Sequence, residues 1–591
     1  MERKDVATAY KWKLEDIYET EEAWFSDYKR LENAIAAPAT KYVGKLGEKS
    51  VLQEYFAEIA EVSKLLDRLY LYAHMRSDED VRIAANSSKV SMVISLAAKL
   101  SAKYSFVDPE LTSLPEETLS AYIADPDFAP QEYQLRRIAA GKAHVLSSDE
   151  EKLLALASEV LGGYRDVFTM LDNANLNLPK AMLGGEEVQM SHGLYGVALH
   201  AGTQEERKEW FEKYYQAYIN LIDAITQTYY GNVKKDVFYS TARKYSSCIE
   251  QALDGEDVVP VVYENLIEAV HEACPAVHEY ISLRGKILGF EQHMYDIYAP
   301  LVEDAEIKLG FDDAYELVIE GLAPLGEGYE ALLRKAKEER WIDVYENEGK
   351  RNGAYSTGCF GVHPYVLLNY QETTNDIFTI AHEMGHAIHT YQSSANQPFE
   401  KSQYTIFLAE IASTVNEVLL LKHLLKSTKD DNLKRYLLAY YMDMIRATLF
   451  RQTQFAEFEQ QAHAMAEQGE PLTKDNLCQL YYRLNKEYYG DGIIHDEQIA
   501  YEWARIPHFY NSFYVYKYAT GIISAISIVR AILSKEEGAV QRYFTFLQSG
   551  GKTDPVTILQ GAGIDLTTKA PFEAAMNEFR DALEEFKSLT K

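Results

Sequence analysis

Apolar side chains return every three or four positions along most of this 591-residue chain, the spacing that lines one face of an α-helix. The pattern is sustained over residues 51–75, 205–228, 312–341 and 433–467, and it predicts a mainly helical fold. Two helix starts are marked. Ser147-Ser148 precedes DEEKLLALASEV, and Thr203 precedes QEERKEWFEKYY; hydroxyls there can accept from the unpaired N–H groups of a first helical turn. The 16 prolines fall mostly at breaks between such segments. A chain of this length exceeds what one hydrophobic core usually supports, so two or more lobes are expected.

Only two stretches read as strand. Residues 188–199 (VQMSHGLYGVAL), with glycine near the middle, are expected to form a short hairpin. Residues 342–370 contain IDVYE, the turn-rich ENEGKRNGAYSTG and the β-forming HPYVLLNY, which predicts a small sheet. No glycine-rich phosphate loop follows either stretch, so a nucleotide-binding α/β fold has no support.

The charge balance, 59 Lys+Arg against 90 Asp+Glu for a net −31, argues against nucleic acid as a partner, because phosphate neutralisation needs clustered cations. Four cysteines, Cys248, Cys274, Cys359 and Cys478, stand far apart and form no CxxC pair. They read as free thiols or small buried hydrophobes rather than a disulfide framework. The N-terminal residues show no signal-peptide pattern, and no continuous apolar stretch reads as long enough to span a membrane; GIISAISIVRAIL is interrupted by Ser524, Ser527 and Arg530. The expected location is the cytoplasm, with no membrane partner.

The chemistry sits in TIAHEMGHAIHTY. His382 and His386 are four residues apart, hence one turn apart on one helix face, where two imidazoles can share a tetrahedral cation. Glu383 stands beside the first of them and can reach a metal-bound water, taking its proton as general base and passing it to the leaving amine. HExxH fixes only three positions and also arises on helices that hold no metal. Gly385 inside the motif costs about 1 kcal/mol relative to Ala, which makes sense if another element packs closely there. A third His six residues past His386 would mark one zinc class, but Gln392 occupies that place. His389 shares the face, yet three ligands from consecutive turns of one straight helix converge poorly. Glu410, with Glu417 seven residues on, lies in the next amphipathic segment among apolar neighbours. Acids so placed are usually paired or metal-bound. Glu410 would complete a His-His-Glu set, and Glu417 could orient a ligand imidazole.

With HEMGH, LAE and their separation, the chain resembles the oligoendopeptidase F family, relatives of thimet oligopeptidase. His382, Glu383, Gly385, His386, His389 and Glu410 all match its pattern, the last 24 positions after His386. KWKLEDIY at the N-terminus, GKRNGAYSTG with PYVLLNY, and ARIPHFYNSFYVYKYATG at 504–521 extend the similarity over nearly the whole chain. The resemblance implies a zincin-like fold of two helical lobes flanking a deep channel, with a small sheet beside the active-site helix. It divides the chain into an N-terminal helical region (1–110), an oligoendopeptidase F-like N-terminal domain (111–200) and a catalytic domain (201–591). It further implies one zinc ion per chain, held by His382, His386 and Glu410, and short unstructured peptides as substrates.

The tyrosine-rich segment has its own chemistry, since hydroxyl or imidazole donors can stabilise the oxyanion that develops on a scissile carbonyl. His508 matches the resemblance directly. Tyr514 and Tyr518, one turn apart, are the accompanying candidates, with Tyr510 and Tyr516 assigned to packing. Residues 353–370 offer a strand edge with which an extended peptide can pair, and Gly353 and Gly358 would allow close approach; His363 within it reads as structural. Two alternatives stand beside the zinc endopeptidase. One is a zinc carboxypeptidase on a related fold, with Arg351 or Arg505 clamping the substrate terminus. The other is a non-catalytic peptide-binding protein. The sequence does not fix oligomeric state.

Overall fold

The computed structural model describes residues 1–302 and 305–590. Helices dominate, and the described residues form two compact units, each assembled from three chain segments. The first comprises Met1–Val145, Glu306–Leu424 and Ile528–Ile564; the second comprises Leu146–Ala305, Leu425–Ser527 and Asp565–Lys591. Both units are discontinuous, whereas the division at 110 and 200 made from sequence is linear.

In the first unit, helices Glu21–Ala36, Lys49–Glu79 and Ala84–Lys103 bury Trp24, Leu69 and Leu96 in one apolar cluster that also takes in Tyr365 and Leu367. Those last two residues belong to a three-stranded sheet of β3 (Ile342–Asp343), β4 (Tyr355–Thr357) and β5 (Tyr365–Leu367), in the order β3-β5-β4. β3 runs parallel to β5, and β4 antiparallel to it, with Ser356 opposite Val366. The sheet lies in the stretch whose β-formers predict it, and β4 is an edge strand that packs on the helix Thr374–Asn396. The chain start is pinned to this sheet. Asp343 is buried, with Lys350 Nζ at 2.7 Å and Arg3 Nη2 at 2.6 Å, and Arg3 also reaches Glu79 at 2.8 Å.

The second unit is a helical assembly with a tyrosine-rich interior; Tyr215, Tyr218, Tyr229, Tyr263 and Tyr280 are fully buried. Two of its helices start where the sequence predicts. Ser147 and Thr203 each accept from the backbone N–H three residues on, and Glu150 and Glu206 complete the reciprocal bonds.

The hairpin expected at 188–199 forms earlier in the chain. β1 (Lys180–Leu183) pairs with β2 (Glu186–Gln189) across Gly184-Gly185, both at positive φ, a two-residue turn that suits the strand twist. Residues His192–Ala201 are helical instead: Ser191 accepts from Leu194 N–H, and Tyr195, Ala198 and Leu199 form a buried face. Glycine at 193 and 196 was therefore not the turn signal. A second correction concerns membrane spans. By length and mean hydropathy alone two helical stretches qualify, Ala84–Ser113 and Tyr516–Leu533, both at 1.2. The second is a core helix with 72% of its apolar window buried, and the helix Ala84–Lys103 of the first packs along Lys49–Glu79. All four cysteines are free, three of them buried.

Candidate active site

The helix carrying HEMGH spans Thr374–Asn396 and is started by a reciprocal cap in which Thr373 Oγ1 accepts from Asp376 N–H and Asp376 accepts from Thr373 N–H. Glu410 lies on the next helix, Ile406–Ser427. Contacts between them fall in reverse order: Ala381 meets Asn416, His382 meets Glu417, Gly385 meets Ala412 and Ser413, and His386 meets Glu410. The two helices are therefore antiparallel. They touch at Gly385, where a Cβ would lie 2.5 Å from Ser413 Cα and 2.6 Å from the Ala412 carbonyl oxygen. No side chain fits there, and the absence of one is what lets Glu410 approach the two imidazoles.

The resulting donor set is compact. His382 Nε2 and His386 Nε2 are 3.2 Å apart, and Glu410 Oε2 lies 3.6 Å from the first and 3.7 Å from the second. Three donors bound tetrahedrally at about 2.0–2.2 Å from one cation stand roughly 3.3–3.6 Å apart, so the triangle has the size of a zinc site. Each ring also has a protein partner outside the triangle. Glu417 Oε1 is 2.5 Å from His382 Nδ1, and the Ala409 backbone holds the ring of His386. The Glu417 contact at Nδ1 leaves His382 Nε2 facing the shared point, the arrangement that outer partners give metal-binding histidines. Burial holds His386 neutral, with its pKa pulled down to about 3. Burial also acts against charge on His382, but the Glu417 hydrogen bond and nearby carboxylates prevail and raise it to about 9.

Glu383 is buried beside this group and belongs to no ligand triangle. Its carboxylate accepts from the backbone of Ser356 on β4, and burial pushes its pKa up to about 7. His389 is buried, stacked on Tyr404 at 3.7 Å and outside the donor set. A second group of possible donors, His271, Glu457 and Glu487, is already spent on protein contacts: Glu457 receives His271, Tyr488 and Gln461, and Glu487 receives Arg483.

His508, Tyr514 and Tyr518 belong to the second unit, where they form one aromatic group with centroids 6.1, 6.0 and 5.6 Å apart, and Tyr518 Oη lies 3.4 Å from His508 Nε2. Their loop is held from behind. Phe513 adopts φ 58°, and its N–H donates to buried Glu459 at 3.1 Å; Ser512 donates to Asp236 at 2.6 Å. Tyr510 and Tyr516 are buried; Tyr510 stacks on Phe168 and Tyr516 donates to Glu256. Arg351 is half exposed and lies 3.5 Å from Asp78, while Arg505 is tied to Glu502. His363 stacks on Trp341 at 5.0 Å. Gly358 packs against Thr390 and Pro364 of its own unit, and Gly353 takes a positive φ in a turn.

Comparison with known proteins decides the family. The family description "Peptidase family M3" matches residues 197–578, and "Oligopeptidase F" matches residues 110–177. The chain belongs to peptidase family M3. Within it, the chain is 40% identical to oligopeptidase PepF of Bacillus subtilis, over 100% of its own length and 88% of that protein's. It is 37% identical to the group B oligopeptidase PepB of Streptococcus agalactiae, over 99% and 98%. Among solved structures, the crystal structure of oligoendopeptidase-F from Enterococcus faecium aligns at TM-score 0.74 and 31% identity, covering 97% of this chain and 99% of that one. A crystal structure from Chlamydophila abortus aligns at TM-score 0.94 and 35% identity over 100% and 99%. This M3 chain is thus a metalloendopeptidase by family, with oligoendopeptidase F relatives along its whole length.

Proposed function

We propose that this M3 peptidase is a zinc-dependent endopeptidase of short, unstructured peptides, with one metal ion per chain held by His382, His386 and Glu410. The observation that carries this is the triangle of donors at 3.2, 3.6 and 3.7 Å, with His382 held by Glu417 through the opposite ring nitrogen. When bound, zinc supplies Lewis-acid activation of a water molecule and of the scissile carbonyl. Glu383 accepts the proton of the attacking water and returns it to the leaving amine; a pKa of about 7 suits both transfers at neutral pH. Glu417 fixes His382 in the tautomer that leaves Nε2 free to ligate.

His508, with Tyr514 or Tyr518, is assigned the donation of hydrogen bonds to the developing oxyanion. The resemblance to the family and their grouping on one anchored loop support this. Burial and the charge of Arg451 keep His508 below its usual pKa, hence a neutral N–H donor. The β4 edge next to Glu383 supports backbone pairing with an extended substrate, which leaves sequence preference loose. Four unpaired cysteines favour the reducing cytoplasm as the place of action.

An internally quenched peptide with an amidated C-terminus, its products mapped by mass spectrometry, tests the endopeptidase reading. Internal cleavage of the amide is expected. Cleavage confined to the free-acid form makes the chain a carboxypeptidase, and failure to cleave either makes it a peptide-binding protein.

A further inference from the structure

The chain carries a net charge of −31, yet part of the second unit holds more cations than anions. Arg284 and Arg446 share the single carboxylate of Asp443, at 3.4 and 3.0 Å. Arg451 and Arg505 share the single oxygen Oε1 of Glu502, at 2.7 and 2.5 Å, while Tyr481 takes its other oxygen. Four guanidiniums thus lean on two carboxylates. Buried charge left without a counterion is costly, so an unbalanced group of this kind calls for an anion.

The backbone is bent to build it. Residues Arg446–Phe450 form a π-helical turn, closed by the Arg451 N–H donating to the Arg446 carbonyl. In a regular α-helix residues five apart point about 140° away from each other. The wider turn brings Arg446 and Arg451 to one face, and such turns recur at functional sites. Tyr298 sits against that face, with the Arg446 guanidinium 5.2 Å from its ring centre. Burial alone would raise the Tyr298 phenol, but Arg451, Arg446 and Arg505 prevail and lower it, so the local potential is positive.

Arg451 and Arg505 line a cavity of about 400 Å³ walled by Tyr195, Tyr214, Tyr218 and Tyr298, with Pro507, the neighbour of His508, at its border. Among the described residues no protein group takes Arg451 Nε or Nη1, or Arg505 Nη1, and none of these atoms is sealed from solvent. Asp172, which accepts from Tyr218, is the acid on the cavity wall and opposes a dianion such as phosphate.

We propose that this cavity is a carboxylate subsite, in which the open nitrogens of Arg451 and Arg505 take the C-terminal carboxylate of a short peptide between tyrosine walls. Paired guanidiniums present a planar fork of donors that matches a carboxylate. The identity of the peptide as ligand rests on the proposed peptidase function; the carboxylate chemistry rests on the arginines alone.

The test separates the two. A full-length Glu383→Gln chain, loaded with zinc, is titrated by fluorescence anisotropy with one labelled peptide as free acid and as amide. The free acid should bind about tenfold tighter, and Arg451→Met in the same background should bring the ratio below about twofold. A parallel titration of the unmodified chain with hippurate, a small free carboxylate, follows its thermal shift and needs no variant to fold. Hippurate stabilisation lost in Arg451→Lys, with no acid–amide difference in peptides, assigns the same site to free small acids. Equal binding of acid and amide together with no response to hippurate overturns the proposal. Turnover of peptides by the unmodified chain is measured separately, so failure of the peptidase reading is not confused with failure of the subsite.

Discussion

Replacing Gly385 with alanine sets two effects against each other, and the structure decides between them. Helix propensity alone favours Ala over Gly by about 1 kcal/mol. The new Cβ, however, would sit 2.5 Å from Ser413 Cα, 2.6 Å from the Ala412 oxygen and 2.8 Å from the Ala412 carbonyl carbon, all backbone atoms of a packed helix. Ordinary contact requires roughly 1 Å more, and a core forced to accept an extra methyl typically loses about 1–3 kcal/mol. The net effect on stability is a loss of about 1 kcal/mol, opposite in sign to propensity. Glu410 rides on the helix that must move, three and two residues before Ser413 and Ala412. Metal ligands tolerate displacements of only about 0.2 Å, so zinc affinity should fall by about 10–100-fold. Chelator competition measures the affinity, and guanidinium unfolding measures the stability. Gly162, in the helix Ser148–Met170, has nothing within 4 Å of the point where a methyl would stand. It is the control and should gain about 1 kcal/mol on change to Ala. If Gly385→Ala also stabilises the chain and retains zinc, the close approach of the two helices does not build the site.

Three further outcomes follow from named contacts. Glu417→Gln removes the charge holding His382 Nδ1 at 2.5 Å, and equilibrium dialysis should show zinc affinity about 10-fold or more weaker, with helix content unchanged. Asp343→Asn strands buried Lys350, whose Nζ lies 2.7 Å from the carboxylate, and leaves Arg3 with Glu79 as its remaining carboxylate, and it should cost about 3–5 kcal/mol in denaturant unfolding. Glu502 is opposed by burial, but Arg451 and Arg505 hold its pKa at about 2, below the unfolded value of about 4.3. Its stabilisation, on the order of 3 kcal/mol, is therefore fully present above the unfolded pKa and lost as pH falls through about 2, and Glu502→Gln should flatten that part of the acid-unfolding profile.

What the sequence made legible was local or carried by a motif. Ser147 and Thr203 announce their helices because a cap is decided within three residues. His382 and His386 follow from helix geometry, and Glu410 from an acid set among apolar neighbours. Gly385 was informative because a glycine inside a strong helix asks for a close neighbour, and Ala412 is that neighbour. The hairpin forms earlier in the chain than glycine placement at 193 and 196 predicts, because the turn is made by Gly184-Gly185 with paired positive φ angles, while Gly193 and Gly196 lie within a helix. Other features depend on chain positions far apart. Arg3 finds Asp343 across 340 residues, and Ser356 N–H finds Glu383 only once β4 is laid on the metal helix. The arginines around Tyr298 carry no spacing signal, since residues five apart share a face only in the wider π-helical turn and not in a regular α-helix.

The functional reading stands or falls on two linked assertions: the His382–His386–Glu410 triangle holds a catalytic metal, and Glu383 moves the proton beside it. Metal content and turnover of an internally quenched peptide, measured together on the unmodified chain and on Glu383→Gln, test both at once. One zinc ion per chain is expected in both proteins, with loss of nearly all turnover in the variant. Glu383→Gln with unmodified turnover, or hydrolysis that persists after complete removal of the metal, would refute them.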